Sequence, residues 1–122
     1  LWITAMNRQG FSREDRIRRG LEFKAVFNHR HATTSGPLRV HTMPAPTPHS
    51  RLGLAVSRKV GNAVRRNRIK RLLRTAFQVV RDTNTHPMDI VIVVLPHTPQ
   101  SLEQYRDYLS QALRHAEQDA KS

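Results

Sequence analysis

At 122 residues, the chain fits one domain with a single modest core. It carries 21 Lys+Arg against 9 Asp+Glu, a formal net charge of +12, and no Cys, which excludes disulfides and zinc–thiolate sites and points to a polyanionic partner. A membrane surface would attract the same charge, but the sequence has no long apolar run and no lipid-inserting amphipathic segment, and Leu1–Met6 is too short for a signal peptide, so a cytoplasmic location is the default expectation.

Residues 1–12 read as a loose leader, 13–118 as the domain and 119–122 as a tail. Within Arg16–Phe27 a short helix is expected from about Leu21, because Phe23, Val26 and Phe27 recur at i, i+3, i+4. Gly36-Pro37 marks a turn, which makes Ala32–Ser35 a short edge strand. Leu38–Met43 sets Leu38, Val40 and Thr42 against Arg39, His41 and Met43, the alternation of a half-buried strand. Pro44, Pro46 and Pro48 then form a stiff loop that cannot join a sheet. Arg51–Ser57 is the next strand. Its Leu52, Leu54 and Val56 are core-like. Its Gly53, Ala55 and Ser57 are small and leave that face either to a guest or to close packing by another element.

Arg58–Arg74 holds eight Lys or Arg in 17 residues and no acid. From Ile69 the apolar residues Ile69, Leu72, Leu73, Ala76, Phe77 and Val80 follow the spacing of a helix with one buried stripe. Asn67, Lys70, Arg71, Arg74 and Arg81 carry the opposite side. Gly61 ends the preceding strand, and Asn62 is the expected N-cap. Arg65 and Arg66 then fall in or near the first turn, where a cation opposes the helix dipole at a cost of about 0.3–1 kcal/mol. Nothing local offsets that cost, whereas an anion held by these arginines and the free backbone N–H groups would. A merely solvated basic face is the alternative, and the absence of acids weighs against it. No acidic residue occurs between Glu22 and Asp82, an interval with 13 basic ones.

Thr83–Pro87 reads as a polar loop. Asp89–Leu95 is an apolar run behind one acid, ended by Pro96, and reads as a central strand buried on both faces. Ser101 with Gln104 forms a capping box, and Leu102, Tyr105, Leu109, Ala112, Leu113 and Ala116 give the last helix one apolar face. The order helix, strand, strand, strand, helix, strand, helix describes an α+β domain, with three helices packed on a small sheet of about four strands.

No nuclease site is legible. Glu14, Asp15, Glu22, Asp82, Asp89, Glu103, Asp107, Glu117 and Asp119 form no cluster suited to two-metal phosphodiester chemistry. His29 and His31 make an H-x-H pair with no third ligand in view, and Ser57 has no base partner. The expectation is an RNA-binding domain with no catalytic residue and no metal site of its own. A DNA-binding regulator is disfavoured, because a strand precedes the basic helix where a helix and short turn would be needed.

Ala63–Arg74 reads A-V-R-R-N-R-I-K-R-L-L-R and resembles the arginine-rich "RNR" signature of the bacterial ribonuclease P protein component. Gly53–Asn62 is similar to that family's strand and turn. The match is contiguous over about two dozen residues, and a weaker one runs from roughly Arg16 to Ala116. The resemblance implies the same element order and a sandwich like the second domain of a small-subunit ribosomal protein. It also implies a left-handed βαβ crossover through the basic helix, where the general rule predicts the opposite hand.

Functionally, the resemblance implies the protein subunit of a ribonucleoprotein endonuclease in tRNA processing. The RNA subunit, using Mg²⁺, removes the 5′ leader of precursor tRNA, and the protein, one monomer per RNA, binds no cofactor itself. The catalytic RNA is expected on Arg58, Lys59, Asn62, Arg65, Arg66, Asn67, Arg68, Lys70, Arg71 and Arg74. The leader is expected in a cleft between the first helix and the open sheet face, on Phe23, Phe27, His41, Arg39 and Ser57. The family commonly has Tyr where this chain has His41, which stacks on a base more weakly. Helical spacing by itself also allows Phe23 and Phe27 to be ordinary core. A ribosomal or other structural RNA-binding protein using the same helix is the competing reading.

Overall fold

The computed structural model describes residues 15–17, 20–81 and 86–121, the last five by backbone alone. Its elements are α1 (Gly20–Asn28), β1 (Ala32–Ser35), β2 (Leu38–Pro44), β3 (Arg51–Ala55), a 3-10 turn (Arg58–Val60), α2 (Ala63–Arg81), β4 (Met88–Val94) and α3 (Leu102–Lys121). The order is the one the sequence predicts. The expected leader, and residues 83–85 of the expected loop, lie outside the described residues. α3 continues into the stretch read as a tail.

The four strands lie in the order β1-β2-β4-β3. β2 pairs antiparallel with β1 and with β4, while β3 and β4, joined through α2, are parallel. β4 is central, and covering of both its faces explains its near-continuous apolar sequence. Met88, Ile90, Ile92 and Val94 join Leu38, Val40 and Leu52 in the main core with α2 and α3. Val91 points to the other face and packs with Ile17 and Val26, with Phe23 and Met43 at the margin of this smaller cluster.

The helices meet the sheet as their spacing requires. Ile69, Leu73, Ala76, Phe77 and Val80 of α2 are buried, and Leu72 is half-buried against the same core. Tyr105, Leu109, Ala112, Leu113 and Ala116 of α3 are buried, with Leu102 partly so. The capping box forms: the Gln104 N–H donates to Ser101 Oγ at 3.2 Å, and the Ser101 N–H donates to Gln104 Oε1 at 2.9 Å. Ser35 pairs with Leu38 across Gly36-Pro37, and Gly36 has φ +56°, which the first central position of such a two-residue turn demands.

Three boundaries differ from the sequence reading. Pro44 is not outside the sheet but ends β2 opposite Met88; the strand-end backbone bond is made by the next residue, Ala45 N–H to Pro87 O at 3.1 Å, so the missing proline N–H costs nothing. β3 stops at Ala55, and the 3-10 turn that follows turns Val60 into the core, at 3% exposure, while Arg58 and Lys59 stay in solvent. Gly61 therefore ends this turn rather than the strand. At its φ of +154° an added Cβ would stand 2.5 Å from Arg65 Cδ, so glycine is required there.

Candidate nucleic-acid interface

α2 begins as the sequence predicts. The Arg65 N–H donates to Asn62 Oδ1 at 2.9 Å, and no acid lies in the first turn. Arg58, Lys59, Asn62, Arg65, Asn67, Arg68 and Arg71 are exposed, while Arg66, Lys70 and Arg74 are half-buried. Arg66 Nε donates to Gly61 O at 3.2 Å, fixing its stem across the helix start. Among the described residues, none of the eight cations from Arg58 to Arg74 has a carboxylate partner.

Other basic residues in the acid-free interval have different surroundings. Arg51 donates from Nε and Nη2 to the two oxygens of Asp89, at 2.9 and 2.6 Å, and from Nη1 to Glu22 Oε2 at 2.6 Å. Asp89 is buried, and its bonds to Arg51 hold that guanidinium's pKa above the usual arginine value. Arg81 pairs with Asp15 at 2.8 Å. Nothing local in the sequence signals the Arg51 network, whose members are 29 and 38 residues apart.

Lys70 and Arg74 lean to the β3 side of α2. With Arg16 they converge on an open cleft of about 150 Å³, whose floor is Ile17, Phe23, Leu52, Gly53 and Leu54. Burial, and then the neighbouring Arg16, push the Arg74 pKa down; arginine nevertheless stays charged. Lys70 and Arg74, which have no carboxylate partner among the described residues, stand with Arg16 over an apolar floor, an arrangement that suits a phosphate with an attached sugar or base. Arg16 joins this group because its backbone bridges to β3, with the Ile17 N–H donating to Leu52 O at 2.9 Å. The sequence reading did not single it out, since one arginine in the basic run Arg16-Ile17-Arg18-Arg19 carries no distinguishing signal.

The second predicted surface lies on the α1 side of the sheet. Phe27 is 37% exposed and meets His41 edge-on, with ring centroids 4.7 Å apart. Burial, and then Arg39, lower the His41 pKa. Arg39, two residues along β2, shares this face and is exposed, with Nη1 donating to Thr34 Oγ1 at 3.5 Å. Phe23 is half-buried, and an added Cβ on Gly53 would stand 2.8 Å from its ring. At Gly53, then, the small face of β3 is closed by packing. Ser57 lies past the end of β3, exposed, before the 3-10 turn, and does not line the open space beside Phe23.

Of the H-x-H pair, His31 Nδ1 lies 3.0 Å from Thr42 Oγ1, while His29 is exposed. Among the described residues no group of three or more His, Asp or Glu is placed to hold a metal ion, and no helix is long and apolar enough to cross a membrane.

Comparison with known proteins agrees with this arrangement. The family profile described as Ribonuclease P matches residues 11–117. A ribonuclease P protein component of Exiguobacterium sp. is 41% identical over 81 residues, covering 66% of this chain and 70% of that one. Its counterpart from Halalkalibacterium halodurans is 37% identical over 99 residues, covering 80% and 83%. Among solved structures, the RNase P protein of Staphylococcus aureus aligns with a TM-score of 0.70 at 30% identity, over 84% of this chain and 94% of that one. The Thermotoga maritima RNase P protein aligns with a TM-score of 0.67 at 26% identity, over 79% and 92%. The matched span takes in the whole sheet, α1, α2 and most of α3, so this chain belongs to the ribonuclease P protein-component family, as a subunit of the endoribonuclease that matures tRNA 5′ ends together with an RNA partner.

Proposed function

We propose that two surfaces of the protein divide the work of the holoenzyme. The 3-10 turn and α2 bind the catalytic RNA through Arg58, Lys59, Asn62, Arg65, Arg66, Asn67, Arg68, Lys70, Arg71 and Arg74. Phe23, Phe27, His41 and Arg39 receive the 5′ leader of precursor tRNA, with Ser57 at the far margin. The observation that carries this reading is the row of eight cations with no carboxylate partner among the described residues, two of which, Arg65 and Arg66, stand in the first turn of α2 where the helix dipole opposes them. Phosphates supply the missing negative charge, and arginine grips them bidentately. The protein contributes binding, and the RNA subunit, with Mg²⁺, contributes the hydrolysis. One protein monomer serves each RNA, in the cytoplasm.

Reconstitution tests this directly. Added to the matching catalytic RNA at low magnesium, the protein is expected to restore cleavage of precursor tRNA and to favour substrates that carry a leader. Restoration that ignores the leader would remove the α1 surface from the reading; no restoration would remove the whole of it.

A further inference from the structure

The cleft assigned to the leader is only as well defined as the placement of α1. That helix is held to the sheet by a small apolar cluster, Ile17, Val26 and Val91 with Phe23 and Met43, which is separate from the main core. The polar tie is Glu22. It stands in the first turn of α1, next to Phe23, and its Oε2 accepts from Arg51 Nη1 at 2.6 Å.

Arg51 itself cannot wander. It opens β3 directly opposite Asp89 in the parallel register, and its Nε and Nη2 are fixed on the two oxygens of that carboxylate, which is 1% exposed. The sheet thus presents Nη1 at a set point, and Glu22 ties the start of α1 to it. The two acids are not equivalent: the Glu22 side chain is 29% exposed and that of Asp89 is 2%. Losing Glu22 leaves Arg51 still bonded to Asp89, whereas losing Asp89 would strip a half-buried guanidinium of its main partner.

We propose that Glu22, seated on Arg51, is a positioning residue for leader binding: it sets the rotation and approach of α1 so that Phe27 stands against His41, without itself touching the RNA. The proposal rests on the assignment of the leader to the Phe27–His41 cleft.

The test uses holoenzyme reconstituted from the catalytic RNA and Glu22→Ala, Glu22→Gln, Phe27→Ala or the Glu22→Ala/Phe27→Ala double variant. Affinities for leader-bearing precursor tRNA and for mature tRNA are measured beside the cleavage rate at saturating substrate and the affinity for catalytic RNA. Glu22→Ala is expected to weaken leader-bearing substrate on the order of tenfold, the scale of one charge-assisted hydrogen bond. Mature-tRNA affinity, saturated rate and assembly should not change. Glu22→Gln, which keeps an acceptor oxygen, should recover part of the loss. The double variant should lose less than the sum of the two single losses, because both act through the same ring.

Equal loss for leader-bearing and mature tRNA, loss of assembly, an additive double variant, or no effect of Glu22→Ala while Phe27→Ala remains leader-selective would each overturn the positioning role. If Phe27→Ala shows no leader selectivity, the cleft assignment itself fails, and the positioning role fails with it.

Discussion

Phe23 and Phe27 share one turn of α1, yet their surroundings separate them. Phe23 closes over Gly53, where an added Cβ would stand 2.8 Å from its ring, while Phe27 stands at the rim against His41. Truncating a fully buried Phe costs about 3–5 kcal/mol; Phe27, at 37% exposure, should cost clearly less. Phe27→Ala should instead remove a stacking surface worth about 1–3 kcal/mol per base, for leader-bearing substrate alone. Thermal stability measured beside leader-dependent affinity checks this. A large fall in melting temperature with no leader-selective defect would make Phe27 core.

His41 adds a pH signature. Its pKa is lowered in the folded state, by burial first and then by Arg39. Between that lowered value and the unfolded value of about 6.5, the unfolded chain binds more protons, so stability rises with pH. The contribution is present above about pH 6.5 and is lost as pH falls through the folded pKa. His41→Phe should lose this part of the dependence, read as a smaller drop in melting temperature than the parent shows on acidification. Identical slopes would refute it.

At the scale of elements, α2 carries two programmes on one helix. Its apolar stripe packs on the sheet, and its cations from Arg65 to Arg74 have no carboxylate partner among the described residues. Arg66→Ala with Arg68→Ala should therefore weaken assembly with the catalytic RNA whatever the substrate, because alanine cannot replace a bidentate phosphate grip. Arg66 also bonds Gly61 O, so helix stability is followed by circular dichroism in the same variant. An assembly defect confined to leader-bearing substrate would misplace this face. The 3-10 turn does related work, since burying Val60 leaves Arg58 and Lys59 turned outward beside the helix start.

Across the whole molecule, the basic field is sorted by the fold. Acid-free in sequence, the interval from Glu22 to Asp82 still has Arg51 and Arg81 neutralised by acids at or beyond its ends, while the cations of α2 from Arg65 to Arg74 have no carboxylate partner among the described residues. Binding should therefore be steeply salt-dependent. If roughly 6–10 phosphates are neutralised, affinity should fall by about 10³–10⁵ between about 50 and 200 mM salt on the duplex-DNA scale. A nearly flat titration would contradict the electrostatic account. The protein alone should cleave no precursor tRNA at any magnesium concentration, because a protein site for two-metal phosphodiester hydrolysis needs carboxylates gathered around the ions, and among the described residues no group of three or more His, Asp or Glu is placed to hold one. Turnover that survives stringent removal of RNA from the protein would overturn that expectation.

The sequence by itself determined the element order, the buried stripes of α2 and α3, the Asn62 cap, the Ser101–Gln104 box and the basic face, because each is written in spacing along a few turns of chain. It also carried the family, through the contiguous run from Gly53 to Arg74. Tertiary structure decided what depends on residues far apart in the chain. It brought Glu22 and Asp89 to Arg51, so that one of the thirteen cations of the interval became structural. It drew Arg16 beside Lys70 and Arg74 by pairing Ile17 with the edge of β3. It ended β3 at Ala55, because Val60 gains more by entering the core than by extending a strand past the sheet it pairs with. Helical spacing left Phe23 and Phe27 interchangeable; only the position of the strands beneath α1 gave one a glycine to cover and the other an imidazole to face.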